Sequence, residues 1–97
     1  MAILKFEWDE RKNRTNRKRH GVSFEEAQSV FFDENALEFF DPAHSSGEDR
    51  FLMLGISVRL RLVVVSHCYR SKESLIRVIS ARKATTRETR AYTGGEK

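Results

Sequence analysis

Three cations in the last third of the chain have types and spacing suited to binding a phosphate group. Arg77 lies within the apolar run Leu75–Ile79, which is typical of a buried strand, and the pair Arg82–Lys83 follows it. Thr85 and Glu88 have the spacing of a capping box, which predicts that a short helix begins there. Backbone N–H groups at a helix start favour anions, as guanidinium and ammonium groups do. We interpret Arg77, Arg82 and Lys83 as candidate phosphate-binding residues; the alternative is a structural strand whose cations face water.

RNA cleavage is a reaction that such cations can support, because the substrate supplies its own nucleophile. A protein must take the proton of the 2′-hydroxyl, protonate the leaving oxygen and stabilise the added charge on the phosphate. Histidine suits the proton transfers. His67 shares a predicted strand face with Tyr69 and Arg61. We interpret His67 as a candidate for acid–base catalysis and its two neighbours as substrate-binding residues, with a hydrogen-bonded sheet histidine as the alternative.

Other kinds of site are not indicated by the sequence. The histidines His20, His44 and His67 are far apart, and no predicted element carries ligands at metal-binding spacing. No glycine-rich loop offers a nucleotide site, so we expect neither a metal nor another cofactor. His20 is expected to close the first helix, and His44 lies in an acidic loop where a surface role is expected. The single cysteine, Cys68, excludes an internal disulfide and is expected to be buried and inert.

The charge of the chain is unevenly distributed along its length. The formal net charge is +4. The segment Arg11–Arg19 contains six cations, whereas Gly21–Asp49 contains eight acids and no Lys or Arg. This division predicts a side that attracts a polyanion and a side that attracts a basic partner, with ordinary solvated surfaces as the alternative. Residues 1–97 are expected to form one domain, and the absence of a signal peptide and of membrane-spanning apolar runs predicts a cytoplasmic protein.

The hydrophobic pattern predicts an α+β fold in the order β-α-α-β-β-β-β-α. Asp9 and Gly21 are suited to cap a first helix that has no apolar residue after Glu10, so Asn13 and Asn16 would form an inward polar face. A disordered basic arm is the alternative for this segment. The predicted strands are at 3–8, 37–41, 50–57, 60–69 and 75–80; a second helix follows Ser23, a third follows Thr85, and the tail at 93–97 is expected to fray.

Four segments of the chain resemble the BrnT family of toxins, in the same order and with similar spacing. They read FEWDERKN at Phe6–Asn13, HGVSFEEA at His20–Ala27, VFFD at Val30–Asp33 and RVISARKAT at Arg77–Thr85. The resemblance covers nearly the whole chain, from Phe6 to Tyr92. It implies a RelE-like sandwich with an antiparallel sheet and a ribosome-independent endoribonuclease. It also implies a cognate ribbon–helix–helix antitoxin that neutralises the toxin and supplies most of the DNA contacts when the complex represses the shared operon.

The resemblance adds two residues to the candidate site and leaves two departures. Arg50 matches the basic residue that usually opens its strand, and Trp8 matches the tryptophan of FEWD, which lies in the core or lines the cleft. The three cations of the last strand fall inside the matched motif. The segment Ser57–Leu60 lacks the glycine that we expect in a hairpin turn, and the turn at Arg70–Ser74 also differs from many members.

Taken together, these features predict a metal-independent endoribonuclease toxin that inhibits translation and growth. A non-catalytic module that binds nucleic acid with the same cations is the first alternative. A structural protein that folds around its partner is the second, and it predicts no affinity for nucleic acid in the absence of that partner.

Overall fold

The computed structural model describes residues 3–70 and 74–94, and its elements follow the predicted order. Most of the turn expected at Arg70–Ser74 and most of the tail expected to fray at 93–97 lie outside these residues. Thr93 ends the last helix and Gly94 caps it, so the expectation of a frayed tail is wrong for these two residues. The helices are α1 (Glu10–His20), α2 (Phe24–Ser29) and α3 (Thr86–Thr93), and the strands are β1 (Lys5–Glu7), β2 (Leu37–Phe40), β3 (Phe51–Ile56), β4 (Leu62–Arg70) and β5 (Leu75–Lys83), with 3-10 turns at Val30–Phe32 and Pro42–His44.

The five strands form one sheet in the order β1-β5-β4-β3-β2. Strands β2 to β5 pair antiparallel, as expected from the antiparallel sheet that the resemblance implies. The expectation of a wholly antiparallel sheet is wrong at one edge, because β1 pairs in parallel with the first residues of β5. No hairpin joins these two strands. Their relative direction is therefore not fixed by a tight turn and could not be read from local sequence.

Strand β5 is longer than predicted and contains a bulge. Ser80 pairs with Ser66, but the next pair on β4 is His67 with Val78, so Ile79 is an extra residue on β5. A bulge shifts the alternation of side chains along a strand. Consequently Val78 and Ala81 both face the core cluster on the side of the first two helices, although they are three residues apart.

The core lies between the sheet and the first two helices. Phe24, Ala27 and Val30 are fully buried at helical spacing, and they pack with Val63 and Val65 of β4. Trp8 packs edge-on against Phe24 and is part of this apolar layer. Helix α3 contacts β3.

Helix α1 docks on the sheet through two asparagines rather than apolar residues. The Asn16 amide donates to the carbonyls of Val22 and Ala81, each at 2.8 Å, and its oxygen accepts from the Ala81 N–H. The Asn13 oxygen accepts from the Phe24 N–H at 2.8 Å. The predicted inward polar face is confirmed, and the alternative of a disordered arm is wrong. Asn16 thus provides hydrogen-bond partners for the Ala81 N–H and carbonyl of β5, in the part of β5 that extends beyond the end of β1.

Helix boundaries follow the predicted capping residues. The Asp9 side chain accepts from two N–H groups at the start of α1, and Gly21 ends it with φ 71°. Thr85 and Glu88 form the complete predicted capping box. Ser23 caps α2 through the Glu26 N–H, but the Glu26 carboxylate does not complete the box. It instead binds Arg61, as described below. Among the described residues, no helix is both long and apolar enough to cross a membrane.

The hairpin turn without glycine is formed at the cost of an unusual backbone conformation. Leu60 has φ 60°, and its side chain is exposed. Residues with a Cβ atom are disfavoured in this left-handed region, because Cβ crowds the following carbonyl oxygen. A glycine was expected in the segment Ser57–Leu60. At Leu60 a glycine would adopt the same backbone conformation without this steric crowding.

Candidate active site

A concave pocket lies on the face of the sheet opposite the first two helices. Its volume is about 350 Å³, and its lining residues come from four segments of the chain that are distant in sequence. We call it the arginine pocket. Its lining residues are Asp41, His44, Arg50, Leu52, Ser66, Ser80 and Arg82.

A histidine–carboxylate pair stands at one side of this pocket. The His44 Nδ1 is 3.0 Å from Asp41 Oδ2, and the His44 side chain is 66% exposed while that of Asp41 is 16% exposed. A carboxylate bound to Nδ1 fixes the tautomer of the ring and leaves Nε2 as the free nitrogen. The pair therefore has the form of a general base and the group that orients it.

The loop that carries this pair is held in place by its own hydrogen bonds. The Asp41 N–H donates to the Arg50 carbonyl at 2.8 Å. The Ser45 hydroxyl donates to the Asp41 carbonyl at 2.6 Å and accepts from the Arg50 N–H at 2.9 Å. Pro42 ends β2 and starts the 3-10 turn that brings His44 back over Asp41. These contacts place His44 and Arg50 next to the same pocket.

Arg82 is the most firmly positioned cation of the pocket. Its Nη1 and Nη2 donate to the two carboxylate oxygens of Glu88 at 2.8 and 2.9 Å. This bidentate contact lowers the pKa of Glu88 to about 2, and it raises the pKa of Arg82. Glu88 is also the N3 residue of the α3 capping box, so the helix start fixes the orientation of the guanidinium.

Arg50 and two serines complete the polar lining. No ion pair within residues 3–70 and 74–94 engages the Arg50 guanidinium, so its charge is available to a ligand. Ser66 and Ser80 are cross-strand partners on β4 and β5. Their hydroxyl groups can donate to the oxygens of a phosphate. The pocket thus combines one unpaired cation, one held cation and neutral donors.

Two of the predicted phosphate-binding cations lie outside the arginine pocket. Arg82 and Lys83 are consecutive strand residues, so their side chains point to opposite faces of the sheet; Lys83 pairs with the core residue Val63. The bulge places Arg77 on the same face as Arg82, but Arg77 forms an ion pair with Glu7 at 3.0 Å. The structure therefore brings together Arg82 and Arg50, and it separates both from Lys83 and Arg77.

His67 is placed in the interior on the other face of the sheet. It is fully buried, its ring packs edge-on against Phe31, and its Nδ1 is 3.0 Å from the Val65 carbonyl. Its Nε2 is 2.9 Å from a carboxylate oxygen of Glu38, which also accepts a hydrogen bond from the Tyr69 hydroxyl. His67 and Tyr69 share a face, as predicted, but neither lines the arginine pocket.

Arg61 is also committed to internal contacts. Its Nε and Nη2 donate to the nearly buried Glu26 carboxylate at 2.8 and 2.7 Å, and Nη2 donates to the Gly21 carbonyl. The hydrogen bonds from Arg61 lower the pKa of Glu26 in spite of its burial, and Ser57 adds a further one. Trp8, the remaining predicted substrate-binding residue, lies against the core. Neither residue is among those that line the arginine pocket.

Sequence reasoning missed His44 and Asp41 as site residues. The available signal was a histidine three residues after an aspartate with a proline between them, the spacing at which a single 3-10 turn brings the two side chains together. The surrounding acidic loop favoured a surface role and obscured this signal. Within the described residues, no group of three or more His, Cys, Asp or Glu side chains is arranged to hold a metal ion.

Comparison with known proteins gives two findings. The model of a family described as "Ribonuclease toxin, BrnT, of type II toxin-antitoxin system" matches residues 8–88. The solved structure of the Brucella abortus ribonuclease toxin BrnT is similar in fold, with a TM-score of 0.64 and 26% sequence identity, over 87% of this chain and 100% of that chain. No curated protein is matched by the sequence.

Proposed function

The chain belongs to the BrnT family of ribonuclease toxins of type II toxin–antitoxin systems, and on this premise we propose that it is a metal-independent endoribonuclease whose cleavage site is the arginine pocket. The single observation that carries this proposal is the convergence of His44, oriented by Asp41, with Arg50 and Arg82 around one cavity. These groups match the tasks of RNA cleavage by the neighbouring 2′-hydroxyl.

In the proposed reaction His44 Nε2 accepts the proton of the 2′-hydroxyl. The 2′-oxygen then forms a bond to phosphorus, the bond from phosphorus to the 5′-oxygen breaks, and the 5′-oxygen takes a proton from water. The hydroxide that remains takes the proton from the His44 imidazolium, which restores the base and the water. The products are a 2′,3′-cyclic phosphate and a 5′-hydroxyl end. Asp41 keeps His44 in the tautomer that leaves Nε2 free and stabilises the imidazolium that forms.

The two arginines stabilise the charge that accumulates on the phosphate. Arg50 has no carboxylate partner among the described residues and supplies the larger electrostatic attraction. The charge of Arg82 is partly neutralised by the Glu88 carboxylate, so the main contribution of Arg82 is a hydrogen-bond donor with a fixed direction. Groups that are already oriented need no reorganisation when the charge develops, and this is a main source of their catalytic effect.

The proposal is tested by incubating the purified protein with single-stranded RNA in the presence of a chelator. We expect cleavage with the ends given above. His44→Gln should lower kcat by about 100-fold or more, as for loss of a general base. Arg50→Gln and Arg82→Gln should each lower kcat/KM by about 100-fold, whereas Arg90→Gln on the exposed side of α3 serves as the matched control with unchanged activity.

Four outcomes would contradict this assignment. Cleavage that requires a divalent cation would overturn the metal-independent mechanism. Full activity of His44→Gln would show that His44 is not the general base and would favour His67 in that role. Equal losses in Arg82→Gln and Lys83→Gln would favour the original interpretation of the basic pair over the arginine pocket. Binding of RNA without any cleavage would support a non-catalytic module.

A type II toxin has a cognate antitoxin, and we propose that this partner is a ribbon–helix–helix protein that covers the arginine pocket. Support comes from the position of the pocket on an open sheet face with an exposed histidine and an unpaired arginine. In this proposal operator DNA is bound only by the complex. The protein encoded beside the toxin gene should abolish RNA cleavage at equimolar concentration, and Arg50→Glu should weaken the complex. Inhibition without any effect of Arg50→Glu would place the antitoxin elsewhere.

A further inference from the structure

A second cavity adjoins the arginine pocket along β5. It lies between α1 and the bulged part of β5 and has a volume of about 260 Å³. We call it the α1 groove. Ser80 lines both cavities, so the two meet at one residue. The α1 groove is lined by Arg11, Lys12, Thr15, Asn16, Arg19, His20, Ile79 and Ser80.

The cations of the α1 groove form no ion pair with a carboxylate among the described residues, although Asp9 acts on Arg11 and Lys12 at longer range. Within the described part of the chain, none of the ion pairs includes Arg11, Lys12 or Arg19. The arginines Arg61, Arg77 and Arg82, by contrast, are each paired with a glutamate. The groove therefore presents three positive charges, together with His20, to whatever occupies it.

The shape and continuity of the α1 groove indicate a chain-like anion rather than a single small one. From Arg11 to Arg19 the helix rises about 12 Å. This length exceeds what one phosphate group needs, and the groove shares Ser80 with the pocket where the scissile phosphate is proposed to lie. An RNA strand that passes over Ser80 would enter the α1 groove with its neighbouring phosphates.

We propose that the α1 groove is an RNA-binding subsite that holds backbone phosphates next to the cleaved bond. This inference rests on the proposed ribonuclease function of the arginine pocket. No Phe, Tyr or Trp is among the groove's lining residues, so the groove has no large aromatic platform for stacking bases. It provides affinity and salt dependence for single-stranded RNA of sufficient length, and it does not select base sequence.

Helix α1 supplies its own matched control for this proposal. Three of its cations, Arg11, Lys12 and Arg19, line the groove, and the other three, Arg14, Arg17 and Lys18, do not. The groove variant Arg11→Gln/Lys12→Gln/Arg19→Gln and the control variant Arg14→Gln/Arg17→Gln/Lys18→Gln therefore remove the same charge from the same helix. A difference between them cannot be attributed to net charge.

Binding is measured with a 2′-O-methyl RNA of about twelve nucleotides, which cannot be cleaved because its 2′-oxygens are blocked. We expect the groove variant to raise Kd about tenfold or more at 150 mM salt and to reduce the slope of log K against log salt by about 0.7 for each lost phosphate contact. The control variant should change Kd by less than about twofold. Equal effects of the two variants, or no effect of either, would overturn the proposal.

Cleavage measurements separate this proposal from the proposed function. With unmodified RNA, the groove variant should lose more kcat/KM on the longer strand than on a dinucleotide, because a dinucleotide ends at the arginine pocket. A length-independent loss would argue against the groove. Absence of cleavage by the unaltered protein would contradict the proposed function instead, while the binding result would still decide the groove. A groove variant that keeps its RNA affinity but loses the antitoxin would assign the groove to an acidic protein partner and overturn the proposal.

Discussion

The guanidinium groups of Arg50 and Arg61 have different surroundings, and these surroundings assign them different tasks. Arg61 is held by a carboxylate that is itself nearly buried, whereas Arg50 borders a cavity. Both were candidate substrate-binding residues, Arg61 from the strand face that it was predicted to share with His67 and Arg50 from the family resemblance. Only the tertiary position of Glu26 distinguishes them.

Replacing Arg61 should therefore affect stability more than RNA binding. Arg61→Met leaves the Glu26 carboxylate buried beside Ser57 without its cation, and we expect the free energy of unfolding to fall by about 3 kcal/mol. Urea denaturation measures this change. Adding Glu26→Gln should restore part of the loss because no unpaired charge then remains. The exposed Arg87→Met is the control, and an equal loss in that variant would exclude a specific role of the buried pair.

The backbone of Leu60 gives a prediction of the opposite sign. Leu60→Gly should raise the free energy of unfolding by about 0.5–1 kcal/mol, because glycine occupies φ 60° without the steric cost that leucine bears. The leucine side chain is 84% exposed, so little packing is lost. Val58→Gly in the same turn should instead destabilise by a similar amount, since Val58 does not have positive φ. Thermal unfolding of both variants tests the difference.

At the scale of elements, α1 takes the place of a strand along part of β5. Beyond the end of β1, the Ala81 N–H and carbonyl are bonded by the Asn16 amide rather than by a neighbouring strand. A helix without apolar residues is thereby fixed to the sheet by a small number of buried polar contacts. The side chains on its remaining faces stay exposed to solvent.

Truncating Asn16 should consequently be costly. Asn16→Ala leaves the Ala81 N–H and the carbonyls of Ala81 and Val22 without their partner, and we expect a loss of roughly 2–4 kcal/mol. Thr15→Ala, one residue earlier on the exposed side, should change stability by less than about 0.5 kcal/mol. Chemical denaturation of the two variants provides the measurement. A small loss in Asn16→Ala would mean that another element holds α1.

The start of α3 has a pH dependence that follows from Glu88. Its pKa is about 2 in the folded protein against an ordinary 4.5, because Arg82 and the Thr85 N–H bond the charged form. A depressed folded-state pKa contributes stability that is present above pH 4.5 and is lost as pH falls toward 2. Glu88→Gln should thus be less stable than the unaltered protein at pH 7, and this difference should narrow as pH falls to 3. A constant difference would exclude the ion pair as its cause.

The sequence predicted elements better than it predicted their contacts. Asp9, Gly21 and the Thr85–Glu88 box determine helix ends through bonds to residues close in sequence, so these boundaries were readable. The bulge at Ile79 and the parallel β1–β5 pair depend on segments far apart in sequence, and they were not predicted. The predicted strand ended at residue 80, so Arg82 and Lys83 were interpreted as one basic pair. Strand β5 in fact includes both residues, and their side chains therefore point to opposite faces of the sheet.

At the scale of the whole molecule, Asp33 ties together segments that lie far apart in the chain. One of its carboxylate oxygens accepts from the Ile56 N–H at the end of β3 and from the Tyr92 hydroxyl of α3, at 2.8 and 2.6 Å. Burial alone would raise its pKa, but these hydrogen bonds outweigh burial and lower it. Helix α3 is therefore held at its start by Arg82 and near its end by Asp33.

Removing the second attachment should loosen α3 selectively. Tyr92→Phe deletes one hydrogen bond to a carboxylate, and we expect amide hydrogen exchange in α3 to become faster while exchange in β4 stays unchanged. Mass-spectrometric exchange on peptides from both elements would show this. Uniform acceleration would indicate a global loss of stability instead. Tyr69→Phe, which alters a tyrosine on the opposite face of the sheet, is a suitable comparison.

The family and the overall fold were accessible from sequence, whereas the arginine pocket was not. Arg82 was a candidate because it falls in a segment that resembles the family, and Arg50 because it matches the basic residue that usually opens its strand; the structure places both at the arginine pocket. His44 and Asp41 reach that neighbourhood only because β2 and β3 bring their loop over the β4–β5 serines. The lining of the arginine pocket comes from four separate segments of the chain. None of these segments has a repeating sequence pattern that would predict the pocket.

The extra residue at Ile79 has one last implication, which concerns insertions and deletions. Arg77 and Arg82 are an odd number of positions apart and still project from the same side of the sheet, because Ile79 is left out of the pairing. A chain shortened by that one residue would make Ser80 and Val78 successive residues opposite Ser66 and His67, so every remaining side chain of β5 would keep its face and its partner. Deleting a paired residue elsewhere in β5 would instead turn one end of the strand over, so Ile79 should be the position of β5 at which a deletion is best tolerated.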